Sequence, residues 1–307
     1  MHGLWHSDFH DGSRKVVTRS GDLVAPQLFA VLDDYSRVAC HGQWYLHEGT
    51  ETFLHGMSQG FQKRSLPRAL RTDNGGAMIA GETAQGMLDL GVNHTTTLTN
   101  SPYQNAKAEV FWVQIEGRLM PMLEGVLELT LDVLNEATQA FIEMEYNRKV
   151  HGEIGVAPVA RMLSGPQAGR TCPGSNELRR AFRLKDERTQ RRSDGTLSIG
   201  WTCASRWPSQ YRHMERLTVR YARWNLSTVD IVDPHRNVVL ATIYPLDKAK
   251  NADGRRRALD RVSAAPLALP KPVGVAPLLG KLIQQYRSTG LPPAYLPKHD
   301  ETSEEDS

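Results

Sequence analysis

Arg71-Thr72-Asp73-Asn74-Gly75-Gly76 closes an apolar run, Leu66 to Leu70, that only Pro67 and Arg68 interrupt. The pattern predicts a short buried strand that stops at a glycine turn, with a carboxylate held at its end. Strand ends are rigid and border a crevice, so a carboxylate there is well placed for chemistry. Asp-Asn-Gly is also a common turn sequence. What decides between the two readings is whether other carboxylates converge on Asp73.

Upstream, Leu4 to His10 has the alternation of a first strand: Trp5, Ser7 and Phe9 on one face, Leu4, His6, Asp8 and His10 on the other. Asp11-Gly12-Ser13 turns it, and a polar hairpin-like segment runs through Gly21-Asp22. Leu28 to Leu32 is a continuous apolar run, expected as a central buried strand. It ends in the turn Asp33-Asp34-Tyr35-Ser36-Arg37, and Val38 to Leu46 returns antiparallel. Phe53, Met57 and Phe61 repeat every four residues, which predicts a helix over 50–64. A second helix is expected over 80–90, then a β-rich run from Val92 to Leu98. The order β, β, β, α, β, α, β defines an α/β layer fold that starts antiparallel and continues parallel. Phe111, Ile115, Leu119 and Met122 then predict a long helix with Glu109 beside its buried stripe. Another helix is expected at about 130–149.

Composition changes after this point. The expected organisation is a core over 1–165, a Gly/Pro-rich linker over 166–180 and a small β-barrel over 181–247. A basic flexible linker would follow over 248–275, an amphipathic helix over 276–297 and a disordered acidic tail over 298–307. Residues 1–169 carry 13 Lys and Arg against 19 Asp and Glu, whereas residues 170–261 carry 20 against 10. An acidic first half joined to a basic second half points to a polyanionic partner for the second, nucleic acid above all. No apolar run of transmembrane length occurs, and the amino-terminal residues lack a signal-peptide pattern. Cys40, Cys172 and Cys203 are too scattered for a disulfide framework or a Cys-x-x-Cys metal site, which suits a reducing cytoplasm. His2, His6 and His10 alternate without any cysteine pair and are expected as surface residues rather than zinc ligands.

Two strand carboxylates, Asp8 and Asp73, and one helix carboxylate, Glu109, form a set that can surround a single point. Hard oxygen ligands of this kind suit Mg2+ or Mn2+, which keep several waters and need few protein carboxylates. Two such ions about 3.5–4 Å apart support phosphoryl transfer. Asp11 is the competitor to Asp8, and the position of Asp8 within the strand favours Asp8. Asp33 and Asp34 are expected as structural turn residues, Cys40 as a core residue, and Glu116 as a solvated glutamate.

Four segments together resemble the integrase catalytic core of DDE transposases and retroviral-type integrases, over about residues 3–163. They are Trp5-x-x-Asp8, Phe29 to Arg37, Thr72-Asp73-Asn74-Gly75, and Ser101-Pro102-Tyr103-Gln104-Asn105-Ala106-Lys107-Ala108-Glu109. Tyr146-Asn147 and His151 extend the match. The resemblance implies an RNase H-like mixed sheet flanked by helices, and Asp8, Asp73 and Glu109 as a metal-binding catalytic triad holding two Mg2+ or Mn2+ ions. It also implies attack by water at a mobile-element end, then attack by the freed 3′-hydroxyl on target DNA, within a homo-oligomer assembled on DNA. Residues 181–247 are similar to the small β-barrel of the bacteriophage Mu transposase group, best at Arg216 to Tyr221 and Leu226 to Ile231. That similarity implies contact with DNA or a neighbouring subunit.

Candidate DNA contacts are Asn105, Lys107, Arg118, Arg255, Arg256 and Arg257. Ala106 stands where the family usually has Gly, and Val110 where it has Arg or a polar residue. Related transposases carry a helix-turn-helix region before the core, whereas here the first catalytic strand begins within a few residues of Met1, so a truncated copy, a fragment or a gene with a late start is expected. The expected location is the cytoplasm of a bacterial-type cell, on the nucleoid when DNA-bound. The rival expectations are a catalytically silent DNA-binding or assembly subunit, and a hydrolytic nuclease of the same fold.

Overall fold

The computed structural model describes residues 1–97, 106–189, 191, 196–199, 203–206, 213–214, 216–236, 238–244 and 273–291. The chain divides into two compact units, Met1–Ala181 with Lys271–Ser307, and Phe182–Pro270.

The first unit is built on five strands: β1 (Leu4–Asp11), β4 (Gln27–Asp33), β5 (Ala39–Tyr45), β6 (Ala69–Thr72) and β7 (Asn93–Thr96). A two-stranded hairpin, β2 (Val16–Val17) with β3 (Leu23–Val24), lies between β1 and β4. The sheet order is β5-β4-β1-β6-β7. β5, β4 and β1 pair antiparallel, whereas β1, β6 and β7 pair parallel. This is the RNase H-like mixed sheet expected from the sequence. β4 and β5 are almost wholly buried because helices cover both their faces.

Helix α1 (Thr50–Arg64) and α2 (Gly81–Asp89) fall where the periodicity puts them. Helix α3 (Ala106–Gln114) runs on through a π-helical turn, Ile115–Leu119, into Met120–Met122. Pro121 explains the wide turn: it lacks an N–H and crowds the carbonyl four residues back. Helix α4 (Leu131–Phe141), with Thr130 capping its amino end, likewise continues as a π-helical turn, Ile142–Tyr146.

One face of α4 seals the sheet. Asn135 accepts from Trp44 N at 2.7 Å and donates to Trp44 O at 3.1 Å. Gln139 donates to Gly42 O. Asn147 accepts from Ala39 N at 2.9 Å and donates to Ala39 O at 3.1 Å. These amides recur at multiples of four residues along the helix and its extension. They bond outward-facing backbone groups of the edge strand β5 at Trp44, Gly42 and, past a bulge, Ala39, as a sixth strand would.

Three features differ from the sequence reading. The stretch read as a linker belongs to the first unit. Leu66 and Arg170 exchange backbone hydrogen bonds, Ala168 N bonds Met1 O at 3.0 Å, and helix α6 (Ser175–Ala181) follows α5 (Pro158–Ser164). Glycine and proline interrupted the periodicity there, but the backbone found partners on the core. The amphipathic helix expected over 276–297 is present but ends earlier, as α7, Pro277–Ser288. Leu279, Leu282, Ile283 and Tyr286 are buried in the main core beside α4. Arg287 also holds Glu136 through Nε at 2.5 Å and Nη2 at 2.8 Å. Lastly, His2 and His6 are buried rather than on the surface. Trp5 Nε1 donates to His2 Nδ1 at 3.2 Å, and His6 Nε2 meets Asp34 at 2.8 Å. In each case a polar partner from the fold offsets the cost of burial.

The second unit contains a four-stranded antiparallel sheet, order β13-β12-β11-β8, of Val239–Ile243, Asn225–Val232, Arg216–Ala222 and Leu184–Thr189. A separate antiparallel pair joins β9 (Thr196–Ile199) to β10 (Cys203–Arg206). Leu197, Ile199, Leu217, Val219, Tyr221, Val229, Ile231 and Ile243 form one core. These two sheets occupy the region expected as a small β-barrel. Buried Asp230 is matched by Arg183 Nη1 and Thr242 Oγ1, each at 2.7 Å.

Candidate active site

Register places the first two carboxylates together. β1 and β6 run parallel, with Leu4 opposite Ala69, Trp5 opposite Leu70 and His6 opposite Arg71. Extending that register two residues sets Asp8 opposite Asp73. Asp8 Oδ1 accepts from Phe9 N, and Asp73 Oδ1 accepts from Gly75 N, each at 2.9 Å.

The third carboxylate arrives on α3. His6, Asp8 and His10 share one face of β1, and α3 lies over it. Asp34, bonded to His6, also holds Lys107 in the first turn of α3. At the far end of β1, His10 stacks on Trp112 with ring centroids 5.1 Å apart, and its Nε2 lies 3.3 Å from Glu116. Ser13 N and Oγ also donate to Glu116. Glu109, Trp112 and Glu116 fall at helical spacing, so Glu109, exposed in the first turn, lies between these two attachments, near enough for its charge to act weakly on Asp8. The histidines that alternate along β1 therefore serve as attachment points for α3. Glu116, expected as a solvated residue, fastens that helix to the β1–β2 turn.

The electrostatics agree with convergence. The Asp8 carboxyl is pushed up to about 7, first by burial, then by the charge of Asp73, with smaller contributions from Glu48 and Glu109. Its hydrogen bond from Phe9 N opposes this only partly. Glu48 is the member that sequence reasoning missed. Burial, then Asp73 and Asp11, raise its carboxyl above the ordinary glutamate value. A Cβ built at Gly75 would stand 3.1 Å from Asp73 Oδ1 and 3.4 Å from Glu48 Oε1. Gly75 thus keeps the space beside the Asp73 carboxylate open, with Glu48 in ordinary contact range of the same point. The signal was topological: β5 runs parallel to β1, so the residues just past its end reach the same edge as Asp8 and Asp73.

Among the described residues, no three His, Cys, Asp or Glu side chains form a ready-made metal cage. The donor set still fits magnesium or manganese, being hard oxygen throughout and mutually repelling, a repulsion that a bound divalent cation relieves.

Other candidate residues fall elsewhere. Arg118 is engaged inside the fold, bonded to Glu145 and to Gln114 Oε1 at 3.2 Å, with its guanidinium over the Phe141 ring. Lys107 is taken up by Asp34. Asn105, Arg255, Arg256 and Arg257 lie outside the described residues. Asp33 is fully buried and accepts from His2 N, Ser36 N and Ser36 Oγ, a structural turn as expected. The Asp34 carboxyl is held far below the usual carboxylate range, mainly by His6 and then by Lys107.

No model of a known protein family matches the chain, and no curated protein matches it. Similarity to solved structures leads to integrases. The chain is similar to one from the simian T-cell lymphotropic virus intasome in complex with PP2A regulatory subunit B56 gamma, at 12% identity and a TM-score of 0.46, covering 80% of this chain and 76% of that one. It is similar to the HTLV-2 integrase catalytic core domain in complex with magnesium, at 16% identity and a TM-score of 0.41, over 52% of this chain and 94% of that one. The catalytic core domain of BIV integrase is 18% identical over 53% of this chain and 95% of that one, with a TM-score of 0.41.

Proposed function

We propose that the protein is a DDE-type polynucleotidyl transferase, a transposase or integrase that cuts DNA strands and joins them to target DNA with divalent cations. The observation that carries this reading is the crowding of Asp8, whose carboxyl is raised by burial, by Asp73 and, to a smaller degree, by Glu109, with the parallel pairing of β1 and β6 as support. Asp8 and Asp73 would hold magnesium or manganese between them, and Glu109 would complete one site. When bound, the ions supply charge stabilisation and activation of an attacking oxygen. The chain's own contribution is rigidity: one carboxylate on a strand, a second just past the end of the neighbouring strand, a third on an anchored helix, and a glycine turn that would admit the DNA backbone. The basic second unit is read as a DNA-contacting or subunit-contacting module.

The rival reading, a silent DNA-binding or assembly subunit, draws on the basic balance of residues 170–261, which would let the second half do the work. Joining of a labelled duplex oligonucleotide to plasmid DNA in Mg2+ or Mn2+ separates the readings. Wild-type protein is expected to join strands, and Asp73→Asn and Glu109→Gln to fall by at least about 100-fold. Joining by both variants at the wild-type rate overturns the reading. Nicking without joining makes the protein a nuclease of the same fold.

A further inference from the structure

Glu109 is the fourth residue of α3 and stands in its first turn, where backbone N–H groups lack helical partners and ends fray. Something must fix that turn if Glu109 is to meet Asp8. Lys107, two residues earlier, reaches Asp34 at the end of β4, and the same Asp34 oxygen bonds His6 Nε2 at 2.8 Å. His6 lies two residues before Asp8 on the same face of β1. One carboxylate oxygen therefore joins the strand that carries Asp8 to the helix turn that carries Glu109. His6 is 7% exposed at its side chain, while Asp34 and Lys107 are about one-third exposed, so the junction sits at the rim of the core.

We propose that Asp34 is a positioning residue, and that the His6–Asp34–Lys107 junction latches the first turn of α3 so that Glu109 is presented to Asp8. This assigns Lys107 to the latch rather than to DNA phosphate. The inference rests on the DDE reading of the site, and it makes a structural claim that can be tested separately. Partners one shell out from a metal site commonly change affinity or rate by about 10–100-fold when removed.

Asp34→Asn, Lys107→Met and the double variant are compared with wild type by amide hydrogen exchange, by thermal stabilisation with Mg2+ or Mn2+, and by binding to mixed-sequence duplex DNA. The latch predicts about tenfold faster exchange at residues 107–111 in either single variant, and in the double variant no more than in the singles. It also predicts that the cation concentration for half-maximal stabilisation rises about tenfold, with DNA affinity unchanged. Lys107→Arg should restore both readouts in part. Unaltered exchange in both single variants overturns the latch, as does weaker DNA binding by Lys107→Met alone. If wild-type protein shows no stabilisation by cations, the DDE reading fails, and the exchange data still decide the latch.

Discussion

Asp8 is the residue whose environment is least comfortable. Its carboxyl, ordinarily near 3.8, is raised to about 7 by burial and by Asp73, Glu48 and Glu109. Between these values the folded protein keeps a proton that the unfolded chain has released, so stability of the cation-free protein falls as pH rises from about 4 to about 7 and levels above that. Asp8→Asn should remove this dependence and stabilise the cation-free protein at pH 8 by about 1–2 kcal/mol, after allowing for solvent screening. Urea unfolding in a chelator across this pH range checks it, and an unchanged or steeper slope in the variant counts against the crowding. Glu48→Gln should flatten the same profile in part and leave the fold intact. Asp8 and Asp73 were legible because alternation and an apolar run fixed their strands. Glu48 was not, because it follows β5 in an exposed turn with no periodicity, and only the paired sheet shows which edge it reaches.

Among the elements, α4 behaves in one respect like a strand. Asn135, Gln139 and Asn147 bond the outward backbone of β5 and so protect an edge that would otherwise invite pairing with another chain. Gln139→Leu should strand the Gly42 carbonyl and cost about 1–3 kcal/mol. Asn135→Leu, which frees both Trp44 N and Trp44 O, should cost at least as much and promote association. Denaturant unfolding with light scattering at several protein concentrations measures both effects. Loss below about 0.5 kcal/mol in each would mean that water replaces the amides without penalty. The apolar stripe of this helix was readable from Leu131, Leu134, Phe141 and Met144, since burial follows the 3.6-residue period. The role of its amides was not, because polar residues on a helix carry no signal of which backbone they face. Pro121 was visible, but its wide turn depends on packing that lets the helix continue rather than end.

Over the whole molecule, the first unit is completed by a segment that follows the second unit in sequence. Ala276 N bonds Met122 O at 2.9 Å, and Gly274, with φ +89°, lies so close to Gly125 that any side chain would strike its carbonyl. Gly274→Val combined with Leu282→Asp should therefore destabilise the first unit by about 3 kcal/mol or more, through steric conflict and a buried charge. A calorimetric transition unchanged in temperature would show that α7 is dispensable. The mixed sheet and the change to short strands in the second unit were legible from alternation and turns. The return of α7 to the core was not: an amphipathic helix declares that it has a partner and leaves that partner unnamed. The basic balance of residues 170–261 makes a separate prediction, that affinity for mixed-sequence duplex DNA falls steeply with salt. A flat response would remove phosphate contact as the role of that excess charge.

The central claim is that Asp8, Asp73 and Glu109 act together as a cation-dependent site on DNA. Supercoiled plasmid, which presents many sequences to the protein at once, is the substrate that tests it. Nicking should require Mn2+ or Mg2+, and Asp8→Asn, Asp73→Asn and Glu109→Gln should each lower the rate by about 100-fold or more. The three losses should not multiply when combined, as expected of residues that act as a unit. Nicking at the wild-type rate in any of the three variants, or nicking undiminished in a chelator, would contradict the account.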